Sequence, residues 1–376
     1  QNRLYATEYM GTKGARWDFT KPEAEQLEYY HMAQGDSICQ VGDQMIFGNY
    51  TGATLYQMDL NKPIYEQYNK NDPNMNPIIV GSIGEDQDRP TVMKEANGKA
   101  IIGSIPDYDQ VGGALTIYDP NTKQSKVYRN LIAEQSITGL CYEDGIVYGS
   151  SSVACGLDTN PTKQYAEVFR FDMNTGKLLS HRVPNLSGFS KPVGGIGDVA
   201  IGPDGLLWAA TTGMVFAMNK DTLEVVKQIK LTNESQPSSY KQYWWPKSVL
   251  FGKYGHLYVS DGGKLRIIDP LTGESRLTDV ECGTCFVMDK EEQIYFYSGA
   301  EVKKAALSYR INEKIAAQIN ISGQNSIKIP VGNTPSQAVL TTVVKDRFGN
   351  PMESAVQWKL KENYPGVSVS DGTVQV

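Results

Sequence analysis

Four short apolar runs in this chain end in the same kind of turn, and the turns recur at a nearly constant interval. Leu115-Thr116-Ile117-Tyr118 leads into Asp119-Pro120-Asn121-Thr122, and Val168-Phe169-Arg170-Phe171 into Asp172-Met173-Asn174-Thr175-Gly176. Val215-Phe216-Ala217-Met218 leads into Asn219-Lys220-Asp221-Thr222, and Leu265-Arg266-Ile267-Ile268 into Asp269-Pro270-Leu271-Thr272-Gly273. The turn residues have a mechanism. An Asp or Asn side chain accepts a hydrogen bond from the backbone two residues on, Pro presets φ, and Gly accepts a positive φ at the exit. The turns follow one another at about 50 residues with several strands between them, which is the period of a β-propeller blade. Seven copies are legible, at 4–31, 38–68, 91–128, 136–183, 196–231, 247–279 and 284–310, the first lacking one strand and the last the weakest. The expected fold is therefore all-β, with a seven-bladed β-propeller over 1–312.

A chain of 376 residues, 40% hydrophobic and 21% charged, is too long for one ordinary core. Stacked repeats avoid that limit, because each buries its face against its neighbours. A net charge of -6 with no Lys/Arg-rich run argues against nucleic acid as a partner. No apolar run approaches the roughly 18 residues that span a bilayer. The chain opens on Gln1 without an apolar leader and is read as a processed or excised piece. Cys39, Cys141, Cys155, Cys282 and Cys285 are irregularly spaced, and His31, His181 and His256 are scattered, so no metal-ligand pattern emerges and free thiols are expected. A monomer with no cofactor is the expectation.

Beyond residue 312 the pattern changes to strict alternation, in Gln318-Ile319-Asn320-Ile321, Ser326-Ile327-Lys328-Ile329, the run 338–344 and Val356-Gln357-Trp358-Lys359-Leu360. A period of two is that of a sheet with one buried and one wet face. Lys345-Asp346-Arg347-Phe348-Gly349-Asn350-Pro351, followed by Val356 and Trp358, resembles the bacterial immunoglobulin-like domains of the invasin and intimin type. The resemblance implies an immunoglobulin-like β-sandwich over 313–376, cut short because such a fold needs roughly 100 residues. It also implies an exported protein, secreted or held at the cell surface, where a Cys282–Cys285 disulfide becomes conceivable.

In each repeat the connections between second and third strands, and those from one repeat to the next, lie at one end, and here they are long. They include 8–14, 49–52, 84–90, 104–113, 150–165, 188–192 and 240–247, while the opposite end has tight turns. Long loops on a rigid scaffold mark the functional side. Aromatic planes beside polar groups suit sugar rings, so Tyr30, Tyr50, Tyr243, Trp244 and Trp245 are the candidate substrate-binding residues. The residue types loosely resemble propeller-fold polysaccharide lyases, which remove a proton beside a uronate carboxylate using a Tyr or His and neutralise the carboxylate with an Arg or Lys. That resemblance implies His31, Arg89, Tyr108 and Lys247 as catalytic candidates. Asp86-Gln87-Asp88 and Asp107-Tyr108-Asp109 offer carboxylates for calcium, without the spacing of a calcium loop. The functional expectation is an exported carbohydrate-recognising propeller, extending to a lyase acting on uronate-containing polysaccharide by β-elimination. The alternative is a non-catalytic adhesion or protein-interaction platform at the cell surface.

Overall fold

The turn chemistry read from the sequence closes real hairpins in the computed structural model. It describes residues 2–232, 236, 247–299, 301–307, 316–324, 326–328, 335–347 and 349–376. The Oδ1 atoms of Asp119, Asp172, Asn219 and Asp269 accept the backbone N–H two residues on at 2.8 to 3.0 Å. The fifth residue of each turn adopts a positive φ, at Lys123, Gly176, Leu223 and Gly273. Two of these four are not glycine, so the left-handed exit is imposed by the turn rather than by the residue.

The described residues up to Ala306 form seven successive antiparallel sheets in sequence order. The first comprises Arg3–Thr7, Lys13–Asp18 and Leu27–His31. The second comprises Gln34–Val41, Gln44–Tyr50, Thr54–Asp59 and Ile78–Ser82, and the third Gln87–Ala96, Lys99–Pro106, Ala114–Asp119 and Gln124–Arg129. Ser136–Glu143, Ile146–Ser152, Val168–Asp172 and Lys177–Arg182 make the fourth, and Val199–Ile201, Leu207–Thr211, Met214–Met218 and Val225–Lys230 the fifth. The sixth holds Val249–Phe251, Leu257–Asp261, Lys264–Ile268 and Ser275–Leu277, and the seventh Phe286–Met288, Gln293–Ser298 and Glu301–Ala306.

The sheets pack face to face, and this explains their sequence. Among the described residues, each of six hydrophobic clusters joins one sheet to the next: Leu115 and Ile101 meet Phe169 and Leu140, and Tyr258 and Ile267 meet Phe286 and Ile294. Middle strands such as Leu207–Thr211 and Met214–Met218 are buried at every position, because both faces are covered. Outer strands such as Val225–Lys230 alternate. The first strands of the second to sixth sheets also pack on one another in order, and Phe19, beside the first sheet, meets Tyr295 of the seventh at 6.1 Å between ring centroids. Gly103 lets two of these layers close: a Cβ there would fall 2.7 Å from Cγ2 of Ile137 in the next sheet.

The C-terminal sheet runs Ala316–Gly323, Gln337–Asp346, Thr373–Gln375, Ser368–Ser370, with Pro351–Met352 also pairing with Gln337–Asp346. The run 356–360, expected as a strand, makes no ladder. Both edges of Gln337–Asp346 are already taken by Ala316–Gly323, Thr373–Gln375 and Pro351–Met352, so its alternation finds no partner there. Among the described residues no helix is long and apolar enough to cross a membrane.

Candidate functional site

The long connections of the second, third and fourth sheets are bonded to one another. Ala53 N–H donates to the Asp88 carbonyl at 2.8 Å, Asp107 N–H to that of Asp86 at 2.8 Å, Asp109 N–H to that of Leu157 at 3.0 Å, and Val153 N–H to that of Gly194 at 2.8 Å. The second, third and fourth sheets therefore present one surface, at the end that the loop lengths single out.

Its centre is built around Arg89. The strand Gln87–Ala96 carries register shifts on both sides of Arg89, and such bulges re-aim side chains. The guanidinium, 8% exposed as a residue, donates through Nη1 to Asp36 Oδ2 at 3.1 Å. It also lies 3.8 Å from the ring centroid of Tyr50. The Tyr50 hydroxyl is 3.3 Å from that of Tyr108, whose side chain stands outward with the residue 42% exposed. Asp88 Oδ1 accepts the Gly52 N–H at 2.7 Å, and Asp107 Oδ1 that of Tyr108 at 2.7 Å.

The electrostatics follow from burial. Desolvation raises the Asp36 carboxyl, against the lowering effect of the Gln34 amide and Arg89. Desolvation raises Asp88 as well, and nearby Asp107 adds to it. The Tyr108 phenol is pushed up, first by its hydrogen bond with Tyr50 and then by burial. Tyr108 thus stays a neutral phenol around neutral pH, suited to hydrogen bonding rather than to taking a proton. Arg89 faces Asp36, and Arg129 pairs with Asp86, so both cations have carboxylate partners.

The structure brings together Tyr50, Arg89 and Tyr108 of the residues singled out from the sequence. Tyr30 is fully buried, its hydroxyl donating to the Ala6 carbonyl at 3.0 Å, and packs in the core between the first two sheets against Phe47. It is therefore withdrawn from any ligand: its strand neighbour Tyr29, not Tyr30, points outward. His31 stacks on Tyr68 at 4.8 Å and lies 5.7 Å from Tyr56, with its backbone N–H donating to the Tyr65 carbonyl. These neighbours set it apart from the Arg89 group, and desolvation lowers its imidazole. The Lys247 carbonyl accepts the Asp198 N–H at 2.9 Å and its backbone lies against Gly197. Tyr243, Trp244 and Trp245 lie outside the described residues. The Asp86 and Asp88 carboxylates diverge to Arg129 and Gly52, and among the described residues no three His, Cys, Asp or Glu side chains group as a metal site.

Sequence reasoning missed Asp36 and Gln34, which open the inner strand Gln34–Val41, the Gln34 amide donating to Asp36 at 3.1 Å. It also missed Lys94 and Asp198, 2.6 Å apart and joining the third sheet to the start of the fifth.

These observations define an all-β protein of successive, mostly four-stranded antiparallel sheets with a polar and aromatic cluster at their loop-rich end. No family model matches the chain, and no curated protein matches it. Among solved structures it is similar to a chain in the crystal structure of the mitotic checkpoint complex, which aligns over 73% of this chain and 84% of that one at 10% identity and a TM-score of 0.45. At that identity nothing about activity transfers.

Proposed function

We propose that the seven sheets are the blades of a seven-bladed β-propeller over 1–312, that 313–376 form an immunoglobulin-like module, and that the loop-rich mouth binds carbohydrate without cleaving it, on an exported or surface-held protein. The ring is supported by the packing of consecutive first strands and by the contact of Phe19 with Tyr295 between the first and seventh sheets. The binding reading rests on one observation: Tyr50, backed by Arg89 at 3.8 Å, meets an outward-standing Tyr108 at 3.3 Å between hydroxyls. A held aromatic plane next to paired hydroxyls and the exposed carboxylate of Asp107 matches a sugar's apolar face and its hydroxyl rim. Recognition is favoured over elimination. Arg89 is already neutralised by Asp36, the Tyr108 phenol is raised, and His31 packs elsewhere. A lyase needs a poised base beside a cation free to take the substrate carboxylate.

The test is a glycan array with wild type and Tyr108→Ala, together with incubation on uronate polysaccharides followed by the ultraviolet absorbance of the unsaturated product. Selective glycan binding lost in Tyr108→Ala, with no absorbance rise, is the expected result. A rise in absorbance would overturn the non-cleaving reading, and the absence of any glycan binding would overturn the carbohydrate reading.

A further inference from the structure

The repeat that builds the sheets also shows where it has been altered. In the fifth sheet the turn between first and second strands closes with Gly202 N–H to the Leu206 carbonyl at 2.9 Å and Gly205 N–H to that of Gly202 at 2.9 Å. The sixth sheet repeats it with Gly252 N–H to the His256 carbonyl and Gly255 N–H to that of Gly252, both at 3.0 Å. His256 therefore occupies the place of Leu206, whose side chain packs against apolar core, yet His256 is only 1% exposed. Asp269 is likewise the turn Asp of the sixth repeat. Its counterpart Asp119 keeps a partly exposed carboxylate, whereas Asp269 is fully buried.

What covers both is the Asp346-Arg347 turn of the C-terminal sheet. Arg347 donates through Nη2 to both oxygens of Asp269 at 3.1 Å, and its Nη1 lies 2.9 Å from His256 Nε2. The side chains of the ion pair are 6% and 0% exposed. An arginine has only donors, so His256 Nε2 must be the acceptor and the imidazole must be neutral with its proton on Nδ1. Protonated, it would offer Arg347 an N–H and a positive charge.

We propose that Arg347 latches the C-terminal sheet onto the sixth sheet, at the end opposite the long loops, and that protonation of His256 releases it. The groups around His256 are consistent with this direction. Lys253 and Tyr254 lie on its own turn, Pro203 of the neighbouring turn touches Gly255, and Asp204 of that turn is bonded to Trp208. Glu292 lies against Gly252 and Asp269 lies across the guanidinium. Arg347 donates to both oxygens of Asp269 through Nη2, and its Nη1 stands 2.9 Å from His256 Nε2. The docked state holds His256 neutral while the released state lets it titrate freely. The latch is therefore complete above the free imidazole pKa and weakens as pH falls below it. With a free value of about 6.5, lowering the pH from about 7.5 to about 5.5 multiplies the population of the released state ~10-fold.

The experiment uses the full chain and follows two signals with pH: the His256 imidazole resonance, one of three histidines, and amide exchange at Gly255, Gly349 and Asn350 corrected for intrinsic rates. In wild type His256 is expected to titrate below its free value, and protection to drop ~10-fold over that pH range. Arg347→Gln should raise the His256 pKa and give low protection at both pH values. His256→Gln, which keeps an acceptor and removes the titration, should give pH-independent protection. A wild-type His256 that titrates normally, or protection that does not change with pH, overturns the proposal; these wild-type readings decide it even if a variant fails to fold.

Discussion

Replacing Arg89 by Ala tests how the mouth is held. The pair it breaks is nearly dry, with side-chain exposures of 10% for Arg89 and 1% for Asp36. At 3.1 Å and an effective dielectric near 20 the attraction is about 5 kcal/mol. Removing one partner also strands the other in a poorly solvated place, which costs about 3 to 5 kcal/mol for buried pairs. The Gln34 amide still donates to Asp36, which places the expected loss toward the lower end of that range. The sign of the pH dependence follows from burial: desolvation already raises the Asp36 carboxyl, and without Arg89 it rises further. A raised carboxyl favours the folded state at low pH and loses that contribution as pH climbs through its folded value. The deficit of Arg89→Ala should therefore be greatest near neutrality and shrink as pH falls toward the unfolded carboxyl value of about 4. Urea unfolding of wild type and variant at neutral and mildly acidic pH measures it. The double variant Asp36→Leu, Arg89→Met, which removes both charges, should recover most of the loss. A deficit under ~1 kcal/mol at neutral pH, or one that does not change with pH, would refute the buried-pair account.

Other outcomes follow from the turns and the core. Lys123 has a positive φ of 58°, so Lys123→Gly should stabilise the chain by up to ~1 kcal/mol in thermal melts. Gly176→Ala should cost at least ~1 kcal/mol, because φ is 70° there and a Cβ would lie 2.5 Å from the Tyr128 hydroxyl. Phe169→Ala should cost about 3 to 5 kcal/mol by denaturant unfolding, since the ring is fully buried between the third and fourth sheets. Tyr108→Phe removes an exposed hydroxyl, so stability should stay within ~0.5 kcal/mol of wild type, while any glycan affinity that uses the Tyr50–Tyr108 pair falls.

The all-β class, the sequence order of the sheets and the turn positions were legible from residues alone because each rests on local chemistry. The bond from Asp172 to Asn174 N–H spans two positions, and a fully apolar run such as Met214–Met218 reports its own burial. The site was legible only in part. Tyr30 and Tyr50 are one residue type in similar settings at strand ends, yet one faces the core and the other a neighbouring loop. Nothing in the run 356–360 said that its would-be neighbours were already paired. The contacts that define the mouth and the latch join residues far apart in the chain: Asp36 with Arg89, Tyr50 with Tyr108, Asp269 with Arg347. Their side chains have no fixed relation until the sheets stack, so the repeat determined the scaffold and only the stacking decided which loop residues meet.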